Sequence, residues 1–379
     1  MLEQGTEPLS RSQDALAIHL YRLGDEAAIF SCMHGCFGFD PELARWRHLH
    51  WENPAGPSIY PLVWDGDRVV SGVAFVPRRV VAFGREGVVR HSHDSMTLPQ
   101  YRGQGIRSAA SEVGRRLARE QGSLAVFSFA NEASLPGVLR HPGRRAVADV
   151  PVMLRPLRPV RAALAAAAAL LPLERLGLGP VQPEGPESAA AGPLPNGAAP
   201  ALDAAGSRPG WSPPAFDERH TRLFRSAEGI PEIALLRDAA HLRWRYAETP
   251  GRPYVQYDVV RGDTLAASVV VRTVELEGMS LALVMEWAWL PGAAREGIAV
   301  LHEAVRLGRA AGAHLIGALA MPGTMHRRLL HRHGFLGVPG WLAPKRVVLT
   351  VAPEVEGVAA ARWYRAANWH LTWGDGFLL

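Results

Sequence analysis

The sequence predicts an α/β chain of two tandem domains, each a mixed, mostly antiparallel twisted sheet flanked by helices. Three observations carry this expectation. The chain has 379 residues, more than one typical domain and enough for two. It is interrupted by an alanine-, proline- and glycine-rich segment, including PVQPEGPESAAAGPLPNGAAPALDAAGSRPG, with too few large apolar residues to build a core. The flanks also repeat one pattern. Arg45–Val76 (RWRHLHWENPAGPSIYPLVWDGDRVVSGVAFV) and Leu242–Val271 (LRWRYAETPGRPYVQYDVVRGDTLAASVVV) each run Trp-Arg, an acidic residue, a Pro-Gly corner, an apolar strand, a Gly-Asp turn and a strand of small and β-branched residues. Strand, tight turn and strand make an antiparallel hairpin, and its recurrence marks a diverged duplication. The expected division is a first domain over 1–157, a linker over 158–214 and a second domain over 215–379.

In the first domain, a strand is expected near Ala15–Tyr21, then helices over Asp25–Cys36 and Pro41–Trp51. Strands follow at Ile59–Trp64, Arg68–Pro77 and Val88–Leu98, turning at Asp65-Gly66 and Gly84, where glycine or Asp-Gly separates β-branched runs. Ile106, Ala109, Ala110, Val113 and Leu117 recur at helical spacing and predict a helix over Ile106–Gln121. LAVFSFA is a buried strand, a short helix starts at Glu132, and a last strand spans Ala146–Leu154. The second domain repeats much of this, with strands at Tyr254–Val260, Leu265–Val274 and Leu281–Leu290, a helix at Ala293–Ala310 and a strand at His314–Leu319.

Composition excludes several classes. A hydrophobic share of 48% and a charged share of 20% do not fit a disordered chain. The net charge of +5 comes almost wholly from arginine, Lys345 being the single lysine. No dense basic tract points to nucleic acid. The run Ala163–Leu173 is too short to span a bilayer and contains a proline, and the N-terminus has no secretion-signal pattern, so a cytoplasmic protein is expected. Cys32 and Cys36 lie in CMHGC with only His34 beside them, which suits free thiols on a helix better than a metal site; no metal is expected.

The chemistry concentrates in PQYRGQGIRSAASEVGRRLAREQG, Pro99–Gly122. A strand, a glycine turn and a helix start leave backbone N–H groups without intrahelical partners, and with the helix dipole they suit an anion. Gly103 and Gly105 admit close backbone approach, and Arg102 and Arg107 reach phosphate from the rim.

Gln100, Gly103 and Gly105 form Q-x-x-G-x-G, entered by Met96-Thr97-Leu98-Pro99 and opening a helix. This resembles the acetyl-CoA signature of the GCN5-related N-acetyltransferases (GNATs). The segment FANEASLPGVLRHPGRRA resembles their next motif, in which an asparagine and a small residue, here Asn131 and Ser134, open a helix. The duplication resembles the tandem-domain members, such as mycothiol synthase, N-myristoyltransferase and the enhanced-intracellular-survival proteins. The resemblance covers most of Ala15–Leu154 in element order, with the glycine motif as its specific part. It implies that acetyl-CoA or another acyl-CoA is co-substrate, with pyrophosphate on Arg102, Gly103, Gln104, Gly105, Ile106 and Arg107. The strand around Ser95–Leu98, including Met96, Thr97 and Leu98, would pair with the pantetheine arm, beside Gln100, Asn131 and Ser134. The acceptor would be an amine of a small molecule or peptide.

Direct attack of an amine on a thioester needs a base. His91, His93 and Asp94 lie on the strand entering the motif, and strict alternation puts the two histidines on one face and Asp94 on the other. The tyrosine that resembling proteins place after the asparagine to protonate the thiolate is Val138 here, and Gly143-Arg144 stands where Gly-Phe is common; Tyr101 is the substitute. The second half has PGAAREGIAV from Pro291 in place of the loop, though it keeps HRHGF at His331–Phe335. It is expected to have lost CoA and to line the acceptor cleft, with Glu286, Trp287 and Trp289 as candidates. The tail, NWHLTWGDGFLL, is expected to dock as a strand, with Asp375 or Leu379 as a possible base. Two alternatives remain: a FemX-like aminoacyl transferase, and an inactive module that binds CoA or a partner.

Overall fold

In the computed structural model, residues 7–8, 16–158, 211–276, 278–338, 346–355 and 357–376 are described. The alanine-rich run and nearly all of the expected linker, as well as Leu379, lie outside them. By contact the chain forms two compact units, Met1–Val147 with Val347–Tyr364, and Ala148–Arg346 with Arg365–Leu379.

Unit 1 is built on a sheet of strands β1 (Glu7–Pro8), β2 (Leu16–Leu20), β3 (Pro61–Asp65), β4 (Arg68–Ala82), β5 (Arg85–Thr97), β6 (Ala125–Asn131), β7 (Arg145–Asp149) and β15 (Val347–Pro353), in the order β1-β2-β3-β4-β5-β6-β15-β7. From β1 to β15 neighbouring strands run antiparallel except β5 with β6. Helices α1 (Glu26–Phe37), α2 (Leu43–His50), α3 (Ile106–Glu120) and α4 (Leu135–Leu139) complete it. The apolar stripe of α3 buries Ile106, Ala110 and Ala118. Gly114 lets α3 press onto β4, because a Cβ there would lie 2.2 Å from the Phe75 ring. Burying such a face stabilises by roughly 25 cal/mol per Å² of apolar surface.

Unit 2 repeats the plan. Its helices are α5 (Glu218–Arg225), α6 (Ala239–Leu242) with a π turn at Arg243–Ala247, α7 (Ala294–Ala310) and α8 (Met325–Arg332), and a short strand β9 (Ile233–Leu235) lies between α5 and α6. Its sheet runs β10 (Val255–Arg261), β11 (Thr264–Leu276), β12 (Met279–Trp289), β13 (Leu315–Leu319), β8 (Val152–Pro156) and β14 (Leu336–Gly337) in that order, again with one parallel pair, β12 with β13. The two WR segments occupy equivalent places, Trp46 in α2 and Trp244 in the π turn, each followed by a hairpin through Gly66 or Gly262 at positive φ. Helix α9 (Gly357–Trp363) follows β15.

The expected single strand at Ala146–Leu154 is two strands in two sheets. Pro151 has no N–H to continue a ladder, and the chain passes there from β7 in one sheet to β8 in the other. The reciprocal event is β15, which the sequence reading did not assign. It pairs with β6 from Val347↔Asn131 to Pro353↔Ala125. Each sheet thus receives one strand from the far half of the sequence, so the contact units do not coincide with linker-bounded halves. Among the described residues, no helix is long and apolar enough to cross a membrane.

Candidate active site

The site begins where β5 and β6 part. Their parallel pairing is confined to Val89↔Ala125, Arg90↔Val126 and His91↔Phe127, yet β5 runs on to Thr97 and β6 to Asn131. The outer edge of β5 stays on β4 as far as Ser71↔Thr97, and that of β6 stays on β15 as far as Asn131. The inner edges, 92–97 and 128–131, therefore have no strand between them among the described residues. Open strand edges pair with extended ligands that carry amides.

This opening leads into the glycine turn. Gly103 and Gly105 have φ of 80° and 78°, a conformation other residues adopt at a cost, and a Cβ on either would meet nothing within 4 Å. Gly105 caps α3, so the N–H groups that open the helix precede its i→i−4 ladder. Arg102 is exposed, its Nε donating to the Thr97 carbonyl at 3.2 Å, and Gln104 Nε2 donates to the Gln100 carbonyl at 3.1 Å. Ile106 is buried and anchors the helix. Arg107 is partly buried, and burial with the nearby Arg140 lowers its pKa. Asn131 and Ser134 close a turn on each other: Ser134 N–H donates to Asn131 Oδ1 at 2.9 Å and Asn131 N–H to Ser134 Oγ at 3.1 Å. The short helix starts at Leu135, three residues after the expected Glu132.

The base candidates lie at the mouth of the opening, with one change from expectation. Strict alternation fails at a β-bulge: Gly72 pairs with Met96 but Ala74 with His93, so Asp94 and Ser95 together oppose Val73. Asp94 takes a left-handed φ of 46°. Asp94 thereby turns its carboxylate onto two imidazoles, with Oδ1 2.6 Å from His93 Nδ1 and Oδ2 2.9 Å from His50 Nε2. Burial opposes ionisation of Asp94, but the facing His93 and His50 outweigh it and hold its pKa well below the usual carboxylate range.

The three candidates are not equivalent. His91 is buried and stacks on Phe127, ring centroids 4.8 Å apart and planes within 8°. Burial, then His93 and Arg78, push its pKa well below the ordinary value, so it stays neutral. The His93 side chain keeps 21% of its surface exposed. His50, which the sequence reading missed, is fully buried, and its signal was a second histidine in the RHLHW end of α2. The ligand atoms of His50, His93 and Asp94 lie within 4.8 Å of one another, compact enough for a metal ion, but both imidazoles already face a carboxylate oxygen at hydrogen-bonding distance.

Tyr101 is drawn elsewhere. Its hydroxyl donates to Asp65, whose carboxylate raises the phenol pKa and holds the proton a departing thiolate would need. Val138 lies in α4, and Arg144 is buried, with Nη1 donating to Ser128 and Thr350 at 3.1 Å, so it knits β6 to β15. Cys32 and Cys36 are free thiols on α1.

The equivalent opening of unit 2 is filled. Strands β12 and β13 pair only from Leu281↔Leu315 to Leu283↔Gly317. Beyond this, Trp287, His326, His370 and Thr372 pack into the gap and leave a cavity of about 20 Å³, room for one water at most. Trp287 Nε1 donates to the Gly297 carbonyl at 2.7 Å, and a Cβ on Gly297 would strike Trp289 at 2.6 Å, so the start of α7 is sealed by tryptophan. Glu286, Trp287 and Trp289 were expected to line a cleft, but all three are buried core. Glu286 instead binds Arg237, which also holds Asp375 of the tail. Among the described residues the tail docks through the bridge Ile233↔Trp369 and a 3-10 turn rather than a full strand.

This filling makes a pH prediction. Burial, with Arg237 also adverse, pushes His326 down to about 4 despite carbonyls of Trp287 and Gly229, against 6.5 unfolded. Between those values the unfolded chain binds the extra proton, so this contribution is complete above pH 6.5 and is lost as pH falls towards 4. It reaches at most roughly 3 kcal/mol. Urea unfolding at pH 7 and pH 5 should show wild type losing more stability than His326→Gln over that interval; equal losses would refute the assignment.

No family model matches the sequence, and no curated protein matches it significantly. Solved structures do match. One is a GCN5-related N-acetyltransferase from Anabaena variabilis, with a TM-score of 0.57 and 11% identity over 92% of this chain and 75% of that one. The chain has the tandem GNAT fold. Saccharomyces cerevisiae N-myristoyltransferase with bound myristoyl-CoA superposes at a TM-score of 0.55 and 11% identity, covering 92% and 85%. A probable N-acyltransferase from Enterococcus faecalis gives 0.52 and 12%, covering 89% and 72%. At these identities the likeness is one of fold, and this GNAT fold pairs an opened unit 1 with a filled unit 2.

Proposed function

We propose that the protein is an acyl-CoA-dependent N-acyltransferase, in the simplest case an N-acetyltransferase, with its donor in unit 1. The observation that carries the reading is the parting of β5 and β6 directly into the glycine turn of α3. Coenzyme A is an amide-bearing arm ending in a pyrophosphate. The inner edge of β5, including Met96 and Thr97, suits the amides, while Leu98 beyond it gives its N–H to the Val70 carbonyl and anchors the turn. The N–H groups of Gly103, Gln104, Gly105 and Ile106, with Arg102 and Arg107 flanking, suit the pyrophosphate. Gln100, Asn131 and Ser134 shape the two turns beside this path. The GNAT fold of acyltransferases agrees with it.

In this reading the acceptor amine attacks the thioester carbonyl, the C–N bond forms as the C–S bond breaks, and His93 takes the amine proton. Asp94 supports the resulting imidazolium through the 2.6 Å contact. A thiolate, with an ordinary thiol pKa of about 8.5, leaves without an obligatory acid, which accommodates the engagement of Tyr101 by Asp65. An amine on a small molecule or peptide is the acceptor class. The test is release of free thiol from acetyl-CoA with a panel of sugar, peptide and polyamine amines. Amine-dependent release supports the reading, whereas binding of acetyl-CoA with no release from any amine supports an inactive CoA-binding module.

A further inference from the structure

Resting on that reading, we propose that His50, with Ser58 behind it, is a positioning residue that fixes the Asp94 carboxylate and through it selects the tautomer of His93. The His50 side chain is fully buried, packed on Trp46 and Tyr60 with ring centroids at 4.5 and 5.4 Å. Both of its nitrogens are engaged, Nδ1 3.1 Å from Ser58 Oγ and Nε2 2.9 Å from Asp94 Oδ2. The Ser58 N–H also donates to the His50 carbonyl at 2.9 Å, which locks this corner to the end of α2.

The proton inventory at His50 then has one solution. An ionised carboxylate only accepts and a neutral imidazole has a single N–H. The His50 proton therefore sits on Nε2 and donates to Asp94, while Nδ1 accepts from the Ser58 hydroxyl. At the other carboxylate oxygen, the 2.6 Å approach of His93 Nδ1 favours a proton on Nδ1 and leaves the lone pair on Nε2, the form that accepts a proton from an amine. The bulge adds a second reason for His50. A left-handed conformation is unfavourable for a non-glycine residue, so Asp94 holds it only where its surroundings over-determine it. The His50 bond does so from a fully buried ring. A cation among the three side chains would instead have to part imidazole–carboxylate contacts of 2.6 and 2.9 Å.

The test compares His50→Phe, which fills the space without a donor, His50→Gln, which restores an N–H, and Ser58→Ala. With acetyl-CoA and an accepted amine, His50→Phe is expected to lower kcat roughly 10- to 100-fold, the usual cost of losing an orienting partner, with acetyl-CoA affinity within about twofold of wild type. His50→Gln should recover most of kcat, and Ser58→Ala should lose less than His50→Phe. Wild-type kcat in His50→Phe would overturn the proposal, as would stoichiometric metal whose chelation abolishes activity. Ring-nitrogen NMR of the wild type decides the point even if a variant fails to fold: protonated Nε2 on His50 and protonated Nδ1 on His93 are expected, and protonated Nδ1 on His50 would overturn it. If wild type releases no thiol with any amine, the transferase reading fails, while the NMR result still tests the His50–Asp94–His93 chain separately.

Discussion

His93→Gln should lower kcat for acyl transfer by about 10²–10⁴-fold while acetyl-CoA binds as in wild type. That range is the usual contribution of a positioned general base and corresponds to roughly 3–5 kcal/mol of barrier. His93 combines a carboxylate 2.6 Å from Nδ1 with partial exposure at the mouth of the β5–β6 opening. His91, two residues earlier on the same strand, serves as the internal control. It is buried against Phe127 and held neutral, so His91→Gln should disturb packing and lower stability more than it lowers kcat. Rate measurements on both variants, each with an acetyl-CoA titration, check this. Equal kcat losses in the two, or none in His93→Gln, would remove His93 from the base role.

Arg237→Met should destabilise unit 2 by about 3–5 kcal/mol, the cost of leaving buried charge unpaired. Arg237 Nε lies 2.6 Å from Glu286 Oε2, and Nη2 lies 2.8 Å from Asp375 Oδ1 and 2.9 Å from Thr372 Oγ1. Tyr246 donates to Glu286 at 2.7 Å, and every member of the group is buried. Burial opposes charge on Arg237, but Asp375 and Glu286 outweigh it and raise its pKa. Burial raises that of Glu286, with Asp375 adding to it against the pull of Arg237. Total stability of a domain is only about 5–15 kcal/mol, so this one network decides whether the tail stays docked. Denaturant unfolding measures the loss. Combining Arg237→Met with Glu286→Gln and Asp375→Asn should recover part of it, because the stranded charges are then gone; no recovery would assign the loss to packing alone.

Local pattern carried much of the fold. The hairpins through Gly66 and Gly262 and the amphipathic face of α3 are short-range features, and the sequence shows them directly. The exchange of β8 and β15 was not visible, because a strand's apolar alternation does not say which sheet receives it. Pro151 and the run RVVLTVAP were the available hints. At the site, the glycine turn was legible because two positive-φ positions require glycine. His50 was not, since it lies 44 residues from Asp94 and the bulge that joins them breaks the alternation used to place Asp94. Trp287 and Trp289 share a face, their rings 4.7 Å apart, but whether that face borders a cleft or a core depends on α7 packing against the tryptophans and on α8 and the tail filling the gap.

The most direct test of the central claim is titration calorimetry of acetyl-CoA into wild type and Arg102→Glu. Arg102 is exposed, so the substitution reverses charge beside the glycine turn without disturbing the core. The account predicts micromolar binding to wild type, about −8 kcal/mol, and at least about tenfold weaker binding to Arg102→Glu, in keeping with the loss of a charge-assisted phosphate contact. No binding to wild type, or equal binding to both proteins, would contradict a pyrophosphate site at the start of α3.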